Sequence, residues 1–140
     1  MIHCDQPGQP TADCLTIDPV HEPKPLKIWN RIGSAGVLAA FHIHERDVEI
    51  EGSISPADVP GLAGSSEIDE SFIVYEATRR QLMRLEANEQ LPVRLQPNEA
   101  SLYVILREQP VVTPIGLVQK LLSADAVLTC RTTGRQTTVT

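Results

Sequence analysis

Between residues 72 and 118, five short runs follow one another with turn-forming residues between most of them: FIVYEA, QLMRLE, LPVRLQ, SLYVILRE and VVTPIGLV. Each is short for a helix, the set is rich in β-branched and aromatic residues, and the runs recur every ~8–12 positions. A chain punctuated this way buries its apolar faces by pairing neighbouring strands, which predicts an antiparallel sandwich or barrel. Upstream, VEIEGSI (48–54) alternates Val48, Ile50, Gly52 and Ile54 with Glu49, Glu51 and Ser53, the period of a half-buried strand. LKIWN (26–30) alternates too, GSAG (33–36) offers a turn, and VLAAFHIH (37–44) reads as one long strand. AVLTCR (126–131) and TTVT (137–140) read as a final hairpin around Thr133-Gly134. The sum is about nine strands.

Helix signals are few. Ser55, Pro56 and Asp58 form a cap, a first helical position and a third, but Pro60 and Gly61 limit the helix to about one turn. LVQKLLSA (117–124) has room for one or two turns more. Before Leu26, Pro7, Pro10, Pro19, Pro23 and Pro25 rule out a long helix or central strand, because proline fixes φ and donates no backbone hydrogen bond. The expected organisation is a proline-rich arm over 1–25, with CLTI (14–17) docked as a short strand, and a β-sandwich over 26–140. The fold class is all-β: an antiparallel β-sandwich with one or two short helical turns.

Composition narrows the partners. The formal charge is −6 and aromatics are 4% of the chain, which argues against nucleic acid and anionic membranes. Cys4, Cys14 and Cys130 are odd in number and show no metal or redox spacing, so they read as buried apolar groups of a reducing compartment. The N-terminus has no signal-peptide pattern and the longest apolar run, VLAAF, cannot span a bilayer. A cytoplasmic protein is expected.

FHIHERDVE (41–49) is the main candidate for chemistry. In a strand, residues i and i+2 share a side, so His42 and His44 stand together, and Glu49 could complete a site for one divalent transition metal. Gly36, His42, His44 and Glu49 have the spacing of the first cupin motif, with a faint second motif at PIGLVQ (114–119). There Gln119 stands where a histidine is expected, and Gly52 comes too early to close the first motif. The competing reading is an ordinary strand: if Phe41 and Ile43 face the core, both histidines face solvent. Trp29 and Tyr103 are candidates for stacking on a sugar ring, against a plain core or interface role for Trp29. The eighteen acids show no segment that singles out a catalytic pair. There is no G-x-S-x-G elbow and no Gly-rich phosphate loop. Arg79-Arg80 reads as a solvated hairpin tip.

Four stretches, in order, carry a broader resemblance: DCLTIDPVHEPKPLKIWN (13–30), GVLAAF (36–41), ISPADV (54–59) and TPIGLVQKLLSADAV (113–127), joined by LPVRLQPNEASLYVI (91–105). Over about residues 11–128 the chain resembles the C-terminal part of the raffinose synthase, seed imbibition protein and alkaline α-galactosidase family. That resemblance implies a β-sandwich that follows a (β/α)8 barrel, in which a retaining, two-carboxylate reaction on α-galactosides takes place. The family's nucleophile and acid/base lie in the barrel, and no position of this chain matches the motifs that hold them. No catalytic residue and no cofactor is therefore expected, and the chain alone is expected not to be an enzyme.

The chain also departs from that pattern. Ala12 stands where an arginine is usual, Thr16 where an aromatic is, and His42-Ile43-His44 where an Asn-Cys-Gln-Gly type segment follows. Family members continue for several strands past the position of Thr140. A sandwich without them would expose a strand edge, and without a barrel it would expose an apolar face. The expected remedy is a homo-oligomer, in the simplest case a homodimer, or association with a carbohydrate-active barrel domain.

Overall fold

A computed structural model describes residues 6–62, 70–110, 112–115, 130–133 and 136–139, the last two ranges as backbone alone. It is all-β. Strands β1 (Gln9–Pro10), β2 (Leu26–Ile32), β3 (Ala35–Phe41), β4 (Ile50–Ile54), β5 (Ser71–Glu76), β6 (Gln81–Glu86), β7 (Leu91–Leu95) and β8 (Ala100–Arg107) precede a hairpin of β9 (Cys130–Thr133) and β10 (Gln136–Val139). Six of them form one sheet in the order β1-β2-β3-β8-β5-β6, and β4 pairs with β7 in a second. Every pairing is antiparallel.

The register follows the alternation of each strand. Trp29 lies opposite Leu38, Leu38 opposite Tyr103, and Val74 opposite Ile105, so these side chains share the inner face of the large sheet. With Phe72 and Leu85 they pack against Ile50, Ile54, Val93 and Leu95 of the small sheet, which makes one continuous core. Val59 and Leu62 close that core from the segment after β4. On the outer side of the small sheet Glu51 faces Arg94 and the two form an ion pair at 3.0 Å.

Ser55 caps a 3-10 turn, Pro56–Asp58, as expected: its side chain accepts from the Ala57 amide, and its own amide donates to Asp58 Oδ2 at 3.0 Å. The arm differs from expectation. CLTI forms no strand; Asp13–Leu15 is a 3-10 turn, and Gln9–Pro10 takes the edge position against Ile28 and Trp29 instead. A short edge strand ending in proline leaves little edge for another chain to extend. The turn expected over 33–36 tightens to Gly33-Ser34, with Gly33 at φ 56°, so Ala35 and Gly36 already belong to β3. Residues 112–115 form no strand. The helical turns expected over 117–124 lie outside the described residues, as do Gly134 and residues 126–129 of the last hairpin. No helix among the described residues is long and apolar enough to cross a membrane.

Candidate functional site

The histidine segment lies just past the end of β3. The strand stops at Phe41, where its pairing with Ala100 ends; the His42 amide makes one more bond to the Glu99 carbonyl at 3.0 Å, and the chain then turns away. Leu38, Ala40 and His42 share the inward side of this path. His42 is therefore buried, while Phe41 and Ile43 are 37% and 40% exposed, the reverse of the expected alternation. Its Nε2 lies 2.7 Å from the Val48 carbonyl oxygen. A carbonyl only accepts, so Nε2 carries the proton. His44 turns the other way, and its Nδ1 donates to the Val20 carbonyl at 2.8 Å. The Glu45 amide donates to the same carbonyl at 2.9 Å.

Glu49 belongs to a third neighbourhood: its Oε2 accepts from Gln96 Nε2 on the turn before β8. The structure thus does not bring His42, His44 and Glu49 together. Among the described residues no three His, Cys, Asp or Glu side chains converge to hold a metal ion. What the histidines do is tie the 42–49 excursion to its own far end and to the N-terminal arm. Gly52, early for a cupin motif, has a packing reason: a Cβ there would lie 2.6 Å from the Pro25 ring.

Neither aromatic candidate is placed to stack on a sugar. Trp29 is 9% exposed and Tyr103 2%, and both belong to the core between the sheets. Burial raises the Tyr103 phenol above its ordinary value, partly offset by a hydrogen bond with Ser101. Arg79-Arg80 does sit in the β5–β6 turn, with Arg80 at φ 54° and the Arg79 guanidinium 3.7 Å from both Glu76 and Glu99.

Two polar features escaped the sequence reading. Lys27 projects inward from β2 beside Trp29, and its Nζ reaches Asp13 Oδ2 at 2.9 Å, Asp58 Oδ2 at 3.0 Å and the Ser53 carbonyl at 3.1 Å. Cys14 is half-buried, and its Sγ receives the Lys27 amide at 3.3 Å, so it is not the inert apolar group expected. The second is Arg31, two residues beyond Trp29 on the same face, which with Arg107 lines a cleft at the opposite end of β3 from His42. Period-2 counting from Trp29 is the signal that locates both Lys27 and Arg31, since charges on an inward face need partners.

The arrangement is a two-sheet antiparallel sandwich whose candidate aromatic and histidine groups serve packing and anchoring. A Bacillus halodurans protein provisionally named an alpha-N-acetylgalactosaminidase shares this fold, with a TM-score of 0.52 and 13% identity over 72% of this chain and 21% of that one. The chain itself belongs to the raffinose synthase or seed imbibition protein Sip1 family, whose model matches residues 1–139. Among its relatives are the galactinol--sucrose galactosyltransferase of Oryza sativa, 32% identical over 91% of this chain, and a probable galactinol--sucrose galactosyltransferase of Arabidopsis thaliana, 30% identical over 94%. The chain spans about a fifth of the length of these curated relatives, 19% and 20% respectively.

Proposed function

We propose that this chain is the accessory, non-catalytic β-sandwich of a raffinose synthase-type enzyme, corresponding to its C-terminal part. The observation that carries this reading is the match across residues 1–139 to a family whose curated relatives are about five times longer. A sandwich packed on its own core has a structural and interaction role: it docks on and stabilises a catalytic barrel that acts on α-galactosides. In the absence of a barrel, a second copy of the chain covers the same surface, which makes a cytoplasmic homodimer the expected state.

The burial of Trp29 and Tyr103 supports a packing role over sugar binding. The test is an assay of the purified chain for galactosyl transfer from galactinol to sucrose and for α-galactoside hydrolysis, alongside sedimentation at micromolar concentration. No turnover and a dimer are expected. Turnover by the chain alone overturns the non-catalytic reading, and a monomer at every concentration overturns the dimer.

A further inference from the structure

The Gly61-Leu62 turn, which follows the Pro56–Asp58 3-10 turn, packs near the start of β3 beside Arg31 and Arg107. The Leu62 carbonyl accepts from Arg107 Nη2 at 3.1 Å, and Leu62 lies so close over Gly36 that a Cβ there would sit 2.8 Å from its Cδ2. Gly61, at φ 73°, leaves room for Arg31: a Cβ on it would lie 3.1 Å from Arg31 Nη1. Beyond this turn opens a cleft of about 360 Å³, lined by Arg31, Ser34, Arg107, Glu108, Gln109 and Thr113, with Leu62, Leu106 and Pro114 between them.

The charges in that cleft are unequally spent. Arg107 pairs with Glu70 at 3.3 Å, and Glu108 accepts from Arg84 Nε at 2.7 Å. Arg31 pairs with no carboxylate among the described residues, and its Nε is buried without a hydrogen-bond acceptor. A guanidinium keeps its charge at any relevant pH, and it presents its two outer nitrogens as a fork that matches an oxyanion. The hydroxyl of Thr113 accepts from the Gln109 amide at 2.8 Å, which pins the cleft wall and leaves its own proton to donate. Ser34 adds a second hydroxyl from the β2–β3 turn.

We infer that this cleft binds a phosphate group, inorganic or as a small monoester, held end-on by Arg31 and flanked by the hydroxyls of Ser34 and Thr113. Several donors around a guanidinium with no carboxylate partner among the described residues suit a tetrahedral, multiply charged oxyanion better than a neutral sugar. The site is independent of the proposed sandwich role. It lies about 20 Å along β3 from His42.

The test is an NMR titration of the ¹⁵N-labelled full chain at constant ionic strength, following the Arg31 Nε–H and the amides of Ser34, Gly61 and Thr113. Inorganic phosphate, glycerol 1-phosphate and acetate are the three probes. Saturable shifts with either phosphate probe, weakened about tenfold or more in Arg31→Gln and less in Thr113→Ala, are expected. Shifts with inorganic phosphate alone mean free phosphate, and tighter binding of the glycerol ester means a phosphorylated metabolite. Thr113→Ala lies on a surface loop and keeps the test open if Arg31→Gln unfolds. No saturable shift in the wild type, equal affinity in both variants, or acetate binding as tightly as phosphate overturns the assignment.

Discussion

Lys27 Nζ and Asp58 Oδ2 lie 3.0 Å apart, and the same carboxylate oxygen accepts from the Ser55 amide at 3.0 Å. One oxygen thus closes the cap of the 3-10 turn and anchors a cation that is only 6% exposed. With Asp13 on the other side, Lys27 joins the N-terminal arm, the large sheet and the segment after β4 at one point.

Replacing Lys27 by Met leaves Asp58 without its cation in a site where its side chain is 19% exposed. The expected loss is about 2–3 kcal/mol, the scale of hydrogen bonds to charged groups. Urea unfolding measures it. A double-mutant cycle with Asp58→Asn should show coupling above ~0.5 kcal/mol, and additive effects would mean the pair does not interact energetically.

The same network sets a pH profile. Burial pushes the Asp13 carboxyl up, but the Thr11 hydroxyl and the Lys27 ammonium together hold it below its ordinary 3.8. Burial pushes Lys27 down, but Asp13 and Asp58 hold it above 10.5. A lowered carboxyl contributes stability above pH 3.8 that is lost as pH falls through its folded value. A raised amine contributes below pH 10.5 and loses it as pH rises through its own folded value. The urea midpoint should therefore fall at both extremes. Asp13→Asn should flatten part of the acid limb and also part of the alkaline limb, since Asp13 is one of the two carboxylates that raise Lys27; both effects should be modest because Asp13 is 46% exposed and solvent screens it.

Gly52→Ala places a methyl 2.6 Å from the Pro25 ring. The expected cost is about 1–3 kcal/mol, as for overpacking elsewhere. Adding Pro25→Ala should recover part of it. Thermal denaturation of the two single variants and the double variant decides this, and a neutral Gly52→Ala would show that the arm does not clamp β4.

His42 and His44 should separate by stability. His42→Ala removes a buried ring and the Nε2 bond to Val48, and should cost about 1–3 kcal/mol. His44→Ala breaks a more exposed bond to Val20 and should cost about 0.5 kcal/mol or less. Equal costs would contradict the opposite orientations of the two rings. Elemental analysis of the dialysed wild type and His42→Ala gives an independent reading, since a metal held at half an equivalent or more and lost in His42→Ala would require the rings to turn.

Much of the fold was legible in the sequence because local chemistry specifies it. Val48 to Ile54 alternates cleanly, and Ile50 and Ile54 do face the core, although the strand begins only at Ile50 and Val48 is exposed. Ser55, Pro56 and Asp58 cap their turn through bonds that span only two or three residues. The ordered stretches from DCLTIDP to PIGL pointed to the family that the matched relatives define.

The long-range choices belonged to tertiary structure. VLAAFHIH is apolar on both sides through Phe41, so its alternation carries no parity; pairing with β2 and β8 turned Leu38, Ala40 and His42 inward and Phe41 and Ile43 out. Pairing also ended the strand before His44, which separated a histidine pair that looked adjacent. The edge at β2 went to Gln9–Pro10 rather than CLTI, because Lys27 draws Asp13 into a turn and its amide takes Cys14 Sγ. Sequence alone determined which segments could pair. The contacts of residues distant in the chain decided which faces they buried, since only the assembled core distinguishes the two sides of a strand that is apolar on both.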